Sequence, residues 1–149
     1  MPTLKERIQA ELNDALRAHD DTRKSALRML TAAIRNAEIE ARNEFDDTAV
    51  LGVVQRQAKQ RRESIVEFRK GGRQDLVDKE EAELAILETY LPRQADRTEI
   101  EAAARKVVAE TGASGPRDIG RVMPVLVQQF AGRADGRTIS EVVRELLGS

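Results

Sequence analysis

Apolar residues recur every three or four positions through most of the chain, the period of a helix buried on one face. Leu4, Ile8, Leu12 and Ala15 open the series. Thr3 precedes them and Glu6 follows three residues later, a capping-box arrangement that predicts a first helix ending near His19. Asp20 and Asp21 offer the next N-cap, and Leu27, Leu30, Ile34, Ala37 and Ala41 form the stripe of a second helix. Asp46 or Asp47 caps a third, whose stripe is Val50, Val54, Ala58, Ile65 and Phe68, interrupted by Arg61. Gly71 is the expected left-handed residue at its end. A fourth helix is predicted to bury Leu76, Leu84, Leu87 and Leu91 and to stop at Pro92, which cannot continue it.

Residues 92–96 read as the domain boundary. Asp96 with Glu99 repeats the capping pattern and opens a fifth helix carrying Ile100, Ala103, Ala104, Val107 and Val108, ended by Gly112. After the Gly112–Pro116 loop, a sixth helix carries Ile119, Val122, Met123, Leu126 and Phe130, with Pro124 expected to kink or split it. A glycine-bounded turn, Gly132-Arg133-Ala134-Asp135-Gly136, leads into a seventh with Ile139, Val142, Val143 and Leu146, ending at Gly148. No stretch alternates as a strand does, so the chain reads as all-α.

Charge changes this picture in one region. Residues 55–73 hold seven Lys/Arg against two Asp/Glu, and residues 75–88 hold one Lys against six acids. Two helices joined by the short Gly71-Gly72 turn fold back antiparallel, so the favoured reading sets these charges against each other across a hairpin. Over all 149 residues the net charge is only -1, which argues neither for nor against a nucleic-acid partner. Aromatic residues are 3% of the chain and Trp is absent, so the core is built from aliphatic side chains and base-stacking platforms are scarce.

The absence of Cys excludes disulfides, thiolate metal sites and a cysteine nucleophile, and a single His excludes a histidine metal cluster. No cofactor is expected. The N-terminus lacks the basic and apolar regions of a signal peptide, and no run of about 18 apolar residues exists. The expectation is a cytoplasmic protein without membrane association.

Four places invite a chemical reading. His19, beside Asp20, has no nucleophile near it in sequence and reads as an exposed residue at a helix C-terminus. Glu80 and Glu83 fall on one helical face and read as part of a solvated acidic surface. The Gly112–Pro116 loop precedes a helix, the arrangement that holds anions on backbone amides, but lacks the Lys and Thr of a phosphate loop. In the Gly132–Gly136 turn, Asp135 reads as a helix cap. The functional alternative there is that Arg133, with Arg121 and Arg137, contacts a phosphate backbone.

Taken together these residues resemble the GatB/YqeY family, most closely its stand-alone YqeY-like members. The resemblance rests on Leu27-Arg28-Met29-Leu30, on Gly72 to Leu76, on Glu80 to Leu84, and on Tyr90-Leu91-Pro92. In the second half it rests on Gly112-Ala113, on Asp118 to Met123 and on Gly132 to Gly136. It implies an N-terminal bundle of about four helices over residues 1–92 and a smaller three-helix module over residues 93–149. That module is similar to the tail of the B subunit of the tRNA-dependent amidotransferase, which helps hold Glu-tRNA(Gln) or Asp-tRNA(Asn). The implied role is tRNA association, with no DNA partner, and with aminoacyl-tRNA or amidotransferase machinery as a further partner. Carried over by position, the tRNA-binding candidates are Gly120, Arg121, Gly132, Arg133, Asp135 and Gly136, with Arg137 beside them. The family is also described as related to carbon–nitrogen ligation with glutamine as amido-N-donor. This chain lacks the kinase-like cradle of the B subunit, a Ser-rich amidase signature and a Cys for glutamine hydrolysis, so no catalytic residue is assigned. Three functions are therefore carried forward: a non-catalytic tRNA-associated module, a component of amidotransferase chemistry, and a protein–protein adaptor. Oligomeric state is not legible.

Overall fold

The computed structural model describes residues 1–148. Among them are seven α-helices and no strand: α1 (Leu4–Arg17), α2 (Asp21–Ala41), α3 (Asp47–Lys70), α4 (Gln74–Glu88), α5 (Arg97–Thr111), α6 (Ile119–Gln129) and α7 (Gly136–Leu147). A single turn of 3-10 helix at Pro116–Asp118 precedes α6. The all-α expectation holds. The chain divides after Leu91 into two compact units.

Five helices start on a side-chain cap. Thr3 accepts from the Glu6 amide at 3.1 Å, Asp20 from Arg23 at 3.1 Å, Asp46 from Ala49 at 2.9 Å, Asp96 from Glu99 at 2.8 Å and Asp135 from Thr138 at 2.8 Å. Each such cap contributes about 1 kcal/mol by satisfying an amide that has no carbonyl partner. Asp47, the alternative cap for α3, instead accepts from the Leu4 amide at 2.9 Å and ties the starts of α1 and α3 together.

The first three helices end alike. After α1, the His19 amide donates to Leu16 and the Asp20 amide to Ala15; after α2, Arg42 donates to Ile39 and Asn43 to Glu38; after α3, Gly72 donates to Arg69 and Arg73 to Phe68. In this paired closure one residue turns left-handed. Those residues are His19 (φ 54), Arg42 (φ 59) and Gly72 (φ 70). Gly71, expected in that role, has φ -81. The reversal comes one residue later because α3 keeps its hydrogen bonding through Lys70 and uses Gly71 as its cap.

In the first unit, Ile8 and Leu12 of α1, Leu27, Leu30 and Ile34 of α2, Val50, Val53, Val54 and Ala58 of α3, and Leu87 with Tyr90 at the end of α4 form one buried cluster. The expected stripes fade toward their ends: Ala37 and Phe68 are half-buried and Ala41 is exposed. On α4 the phase differs from expectation. Val77, Glu83, Leu87 and Tyr90 are buried, while Leu76, Leu84 and Leu91 are half-buried. Because α4 packs on both α2 and α3, its buried face is wider than the single leucine stripe and extends past its edge to Glu83.

In the second unit, Ile100, Ala104 and Val107 of α5, Val122, Leu126 and Phe130 at α6, and Ile139, Val142, Val143 and Leu147 of α7 close a separate core. Leu147, not Leu146, takes the last buried position of α7. Pro124 does not split α6, which is continuous from Ile119 to Gln129. Proline removes the bond to the carbonyl four residues back. That carbonyl belongs to Gly120, which is exposed, as Pro124 is, so the side of the helix that loses the bond faces solvent.

Left-handed geometry makes opposite substitutions informative. Gly72→Ala is expected to lower stability by about 1 kcal/mol, whereas His19→Gly raises it by a similar amount. Gly71→Ala is expected to be neutral, since an added Cβ would sit 3.7 Å from its nearest neighbours. Urea denaturation of the three variants checks this ordering.

Candidate functional site

The residues singled out in the second unit are not gathered at one place. Arg121, on the first turn of α6, donates to the Thr111 carbonyl at the end of α5 and to Asp118 at 3.3 Å. Arg133 donates to the Arg93 carbonyl at 2.9 Å and to Glu99, near the start of α5. Residues 99 and 111 are about 18 Å apart along a helix rising 1.5 Å per residue, so the two guanidinium groups anchor toward opposite ends of α5.

Each turn has a structural occupant for its charge. Asp118 turns back into the Gly112–Pro116 loop and accepts from the Ser114 amide at 2.9 Å. The Ser114 and Gly115 amides, with Arg121, hold its carboxyl below the usual carboxylate range. The loop amides that could cradle an anion are therefore engaged by the chain's own carboxylate. In the second turn, Gly132 is left-handed (φ 79), the Arg133 carbonyl accepts from Ala95 at 2.8 Å, and the Arg133 guanidinium lies 5.7 Å from the centre of the Phe130 ring. Asp135 caps α7, and Gly136 is the first residue of that helix. Arg137 is the most solvent-exposed of the candidates, its side chain 80% accessible and 3.6 Å from Glu141. Gly120 lies on the exposed side of α6, with nothing within 4 Å of where a Cβ would be.

That side of α6 is chemically unlike the rest of the surface. Gly120, Arg121, Pro124, Val125 and Gln128 are exposed at helical spacing, and Arg121 is the helix's only charged residue. Val125 and Val127 are each 45% exposed. In a chain that is 34% charged, a helix of eleven residues with no carboxylate stands out.

The first unit holds a charged cluster that the sequence reading placed at the surface. Glu83 is 2% exposed, not part of a solvated acidic face. Arg61 of α3 lies 3.4 Å from Glu80 and 3.5 Å from Glu83. Ser25 of α2 donates to Glu83 at 3.0 Å. Two sequence signals carried this arrangement: Arg61 breaks the stripe of α3, and Glu83 occupies a buried phase of α4. Elsewhere the hairpin pairs as expected, Arg62 with Glu88 at 3.3 Å and Arg69 with Glu81 at 2.8 Å. Tyr90, whose phenol is pushed up by burial and by its hydrogen bond to Glu11, fastens the end of α4 to α1. Arg7 sits 4.9 Å over its ring. His19 is exposed at the end of α1. Among the described residues, no three carboxylate or imidazole groups gather as metal ligands.

Comparison with known proteins adds the family. A family model described as "Yqey-like protein" matches residues 5–147. Proteins named "Altered inheritance of mitochondria protein 41, mitochondrial" are similar to this chain. The one from Pyrenophora tritici-repentis is 33% identical over 147 residues, covering 96% of this chain and 80% of the relative. The one from Vanderwaltozyma polyspora is 36% identical over 85 residues, covering 56% and 46%. The one from Lachancea thermotolerans is 36% identical over 112 residues, covering 73% and 60%. The chain thus spans most of the first relative and about half of the second. These names overturn the cytoplasmic expectation, since all three relatives are named as mitochondrial proteins. The expectation rested on a missing secretory signal and membrane span, and neither feature separates cytoplasm from organelle interior. No helix among the described residues is long and apolar enough to cross a membrane.

Two measurements probe these contacts. Arg61→Met, which strands Glu83 in the interior, is expected to cost about 3 kcal/mol, and adding Glu83→Gln should recover more than 1 kcal/mol of it, a coupling that strictly additive losses would refute. For Asp118, a depressed folded pKa means its stabilisation is present above the ordinary carboxylate range and is lost as pH falls through the lower folded value. The Tm gap between wild type and Asp118→Asn should accordingly close at acid pH.

Proposed function

The chain belongs to the Yqey-like protein family, and on that premise we propose that it is a non-catalytic module that associates with tRNA through the outer face of α6. The observation that supports this reading is the make-up of that face: Gly120, Arg121, Pro124, Val125 and Gln128 exposed, and no carboxylate on the helix. A phosphate backbone is repelled by surface acids and held by cations, so an acid-free strip carrying one arginine admits it where the rest of a mixed-charge surface does not. The small side of the helix at Gly120 lets a sugar or phosphate approach the backbone closely.

Arg121 serves this role through its exposed part. Its side chain is 56% accessible although it is anchored to Asp118, so the guanidinium is oriented before any ligand arrives. Arg117, exposed on the 3-10 turn one helical step earlier, adds a second cation. Arg133, tied to Glu99 and the Arg93 carbonyl, shapes its turn and is not assigned a ligand contact. The same is true of Asp135, engaged as a cap. With so few cations, binding is weak and steeply salt-dependent.

A second reading is favoured by Val125 and Val127, whose exposure suits a protein partner instead. Retention of a protein partner after nuclease treatment, together with no shift of tRNA at low salt, selects it.

Val125→Glu places a carboxylate on the face without disturbing the core. It is expected to weaken binding of total tRNA by ~10-fold at low salt in fluorescence anisotropy, with Tm unchanged. Unaltered affinity in this variant removes α6 as the docking face.

A further inference from the structure

The outer side of α2 carries a row of cations, Arg28 of the Leu27-Arg28-Met29-Leu30 motif among them, to which the family resemblance assigns no role. At 100° per residue, Lys24, Arg28, Thr31, Arg35 and Arg42 fall within an arc of about 60°. Arg28, Arg35 and Arg42 are exposed, and among the described residues none of the three is in an ion pair. Among the described residues, Arg61, Arg62, Arg69, Arg73, Arg97 and Arg133 meet carboxylates, and Arg23, Arg56, Arg93, Arg105 and Arg117 do not, so what sets the α2 arginines apart is their alignment on one helix side. The neighbouring acids are already engaged: Asp21 pairs with Lys24 at 3.3 Å, and Glu38 holds Lys5 at 2.7 Å and the Phe45 amide at 2.8 Å. Glu6, on α1, is an exposed acid that lines the cleft beside the row.

A cleft of about 330 Å³ runs between α1 and α2 beside this row, lined in part by Lys5, Glu6, Thr31 and Arg35. The Thr31 hydroxyl is buried there and has no hydrogen-bond partner among the described residues. A threonine inside a helix ordinarily bonds the carbonyl one turn back. Here a donor is left unspent between two unneutralised arginines, at a desolvation cost that a bound acceptor oxygen would offset.

We propose that this face of α2 is a second RNA-binding surface, in which Arg28 and Arg35 contact backbone phosphates and rotation of the Thr31 side chain brings its buried hydroxyl out to donate to a phosphate oxygen between them. The proposal shares its ligand class with the α6 reading and not its site. The spacing selects a polymer over a small phosphate. Arg28 and Arg35 are about 10.5 Å apart along the helix, and Arg42 extends the row to about 21 Å, beyond the reach of a mononucleotide. The burial selects RNA over a bilayer surface. Leu27, Leu30 and Ile34, the apolar side of α2, are spent in the core, and Ile39 alone stands well exposed near the row, so no apolar band remains to enter lipid.

The test uses the full chain with fluorescein-labelled total tRNA, across a salt titration. Arg28→Gln/Arg35→Gln is expected to weaken binding by ~10-fold at low salt and to reduce the slope of log K against log salt by about 2. Thr31→Val separates binding from folding: it should raise Tm by a few degrees, on the order expected for removing an unpaired buried hydroxyl, while weakening binding by ~3-fold. The proposal is overturned if the double variant binds with wild-type affinity and slope, or if Thr31→Val moves Tm alone. It is also overturned if the row prefers phosphatidylglycerol vesicles to RNA. Loss in the α2 variants with Val125→Glu unaffected supports this site and removes the α6 site; the converse pattern does the reverse. No binding of tRNA by wild type at low salt removes both.

Discussion

The first unit is organised by a charge that cannot be left unpaired. Glu83 is buried where α2, α3 and α4 meet, and Arg61 reaches it from one side while Ser25 reaches it from the other. Two unit charges 3.5 Å apart attract by roughly 5 kcal/mol at an effective dielectric of 20, before the cost of desolvating both is subtracted. The net gain is small. What the pair adds is register. A slip of α4 by one residue against α3 would leave a buried carboxylate without its cation, and aliphatic side chains alone penalise such a slip far less. The exposed pairs of the same hairpin, Arg69 with Glu81 and Arg62 with Glu88, follow from that register and contribute little by themselves.

The family pattern gains a physical meaning from this. Glu80 to Leu84 and Tyr90-Leu91-Pro92 are among the residues that carry the resemblance. Their places in the structure are structural: Glu83 and Glu80 face Arg61, and Tyr90 is fastened to Glu11 under the guanidinium of Arg7. In the second unit, Asp118 fills its own loop, Asp135 caps α7, and Arg133 closes the turn onto α5. Much of the recognisable sequence thus specifies how the chain folds. The surfaces that remain available for a partner are the outer side of α6 and the cationic side of α2.

Helix positions and N-caps were legible because they are local. Asp46, Asp96 and Asp135, each four residues before the first buried apolar position of its helix, act as caps, and Asp20 caps α2. Phase within a helix was less legible. Leucines at 76, 84, 87 and 91 suggested one face, but packing against two neighbours at once moved the buried face of α4 to Val77, Glu83, Leu87 and Tyr90. That Pro124 leaves α6 unsplit was illegible for a related reason: its cost depends on whether the orphaned carbonyl is exposed, and that depends on which side of α6 meets the core. Sequence could not show that Arg121 and Arg133 are anchored toward opposite ends of α5. Arg121 and Arg133 stand near the two ends of α6, and which neighbours each guanidinium reaches depends on how α6 lies along α5.

The near-neutral total charge hides how unevenly cations are used. In the hairpin Arg61, Arg62, Arg69, Lys70 and Arg73 each have a carboxylate across or along the helix, and among the described residues Arg56, Lys59 and Lys79 do not, so much of its basic and acidic charge cancels locally. On α2, Lys24 pairs with Asp21, but Arg28, Arg35 and Arg42 are aligned and without an ion pair among the described residues. A surface potential is set by charges that lack near neighbours of opposite sign, since a close pair decays as a dipole while a lone charge reaches about a Debye length. The stretch richest in Lys and Arg is therefore the poorer candidate for a polyanion, and a helix with only three unpaired arginines on one side is the better one. For a chain of balanced composition, where the acids sit matters more to partner choice than how many bases there are.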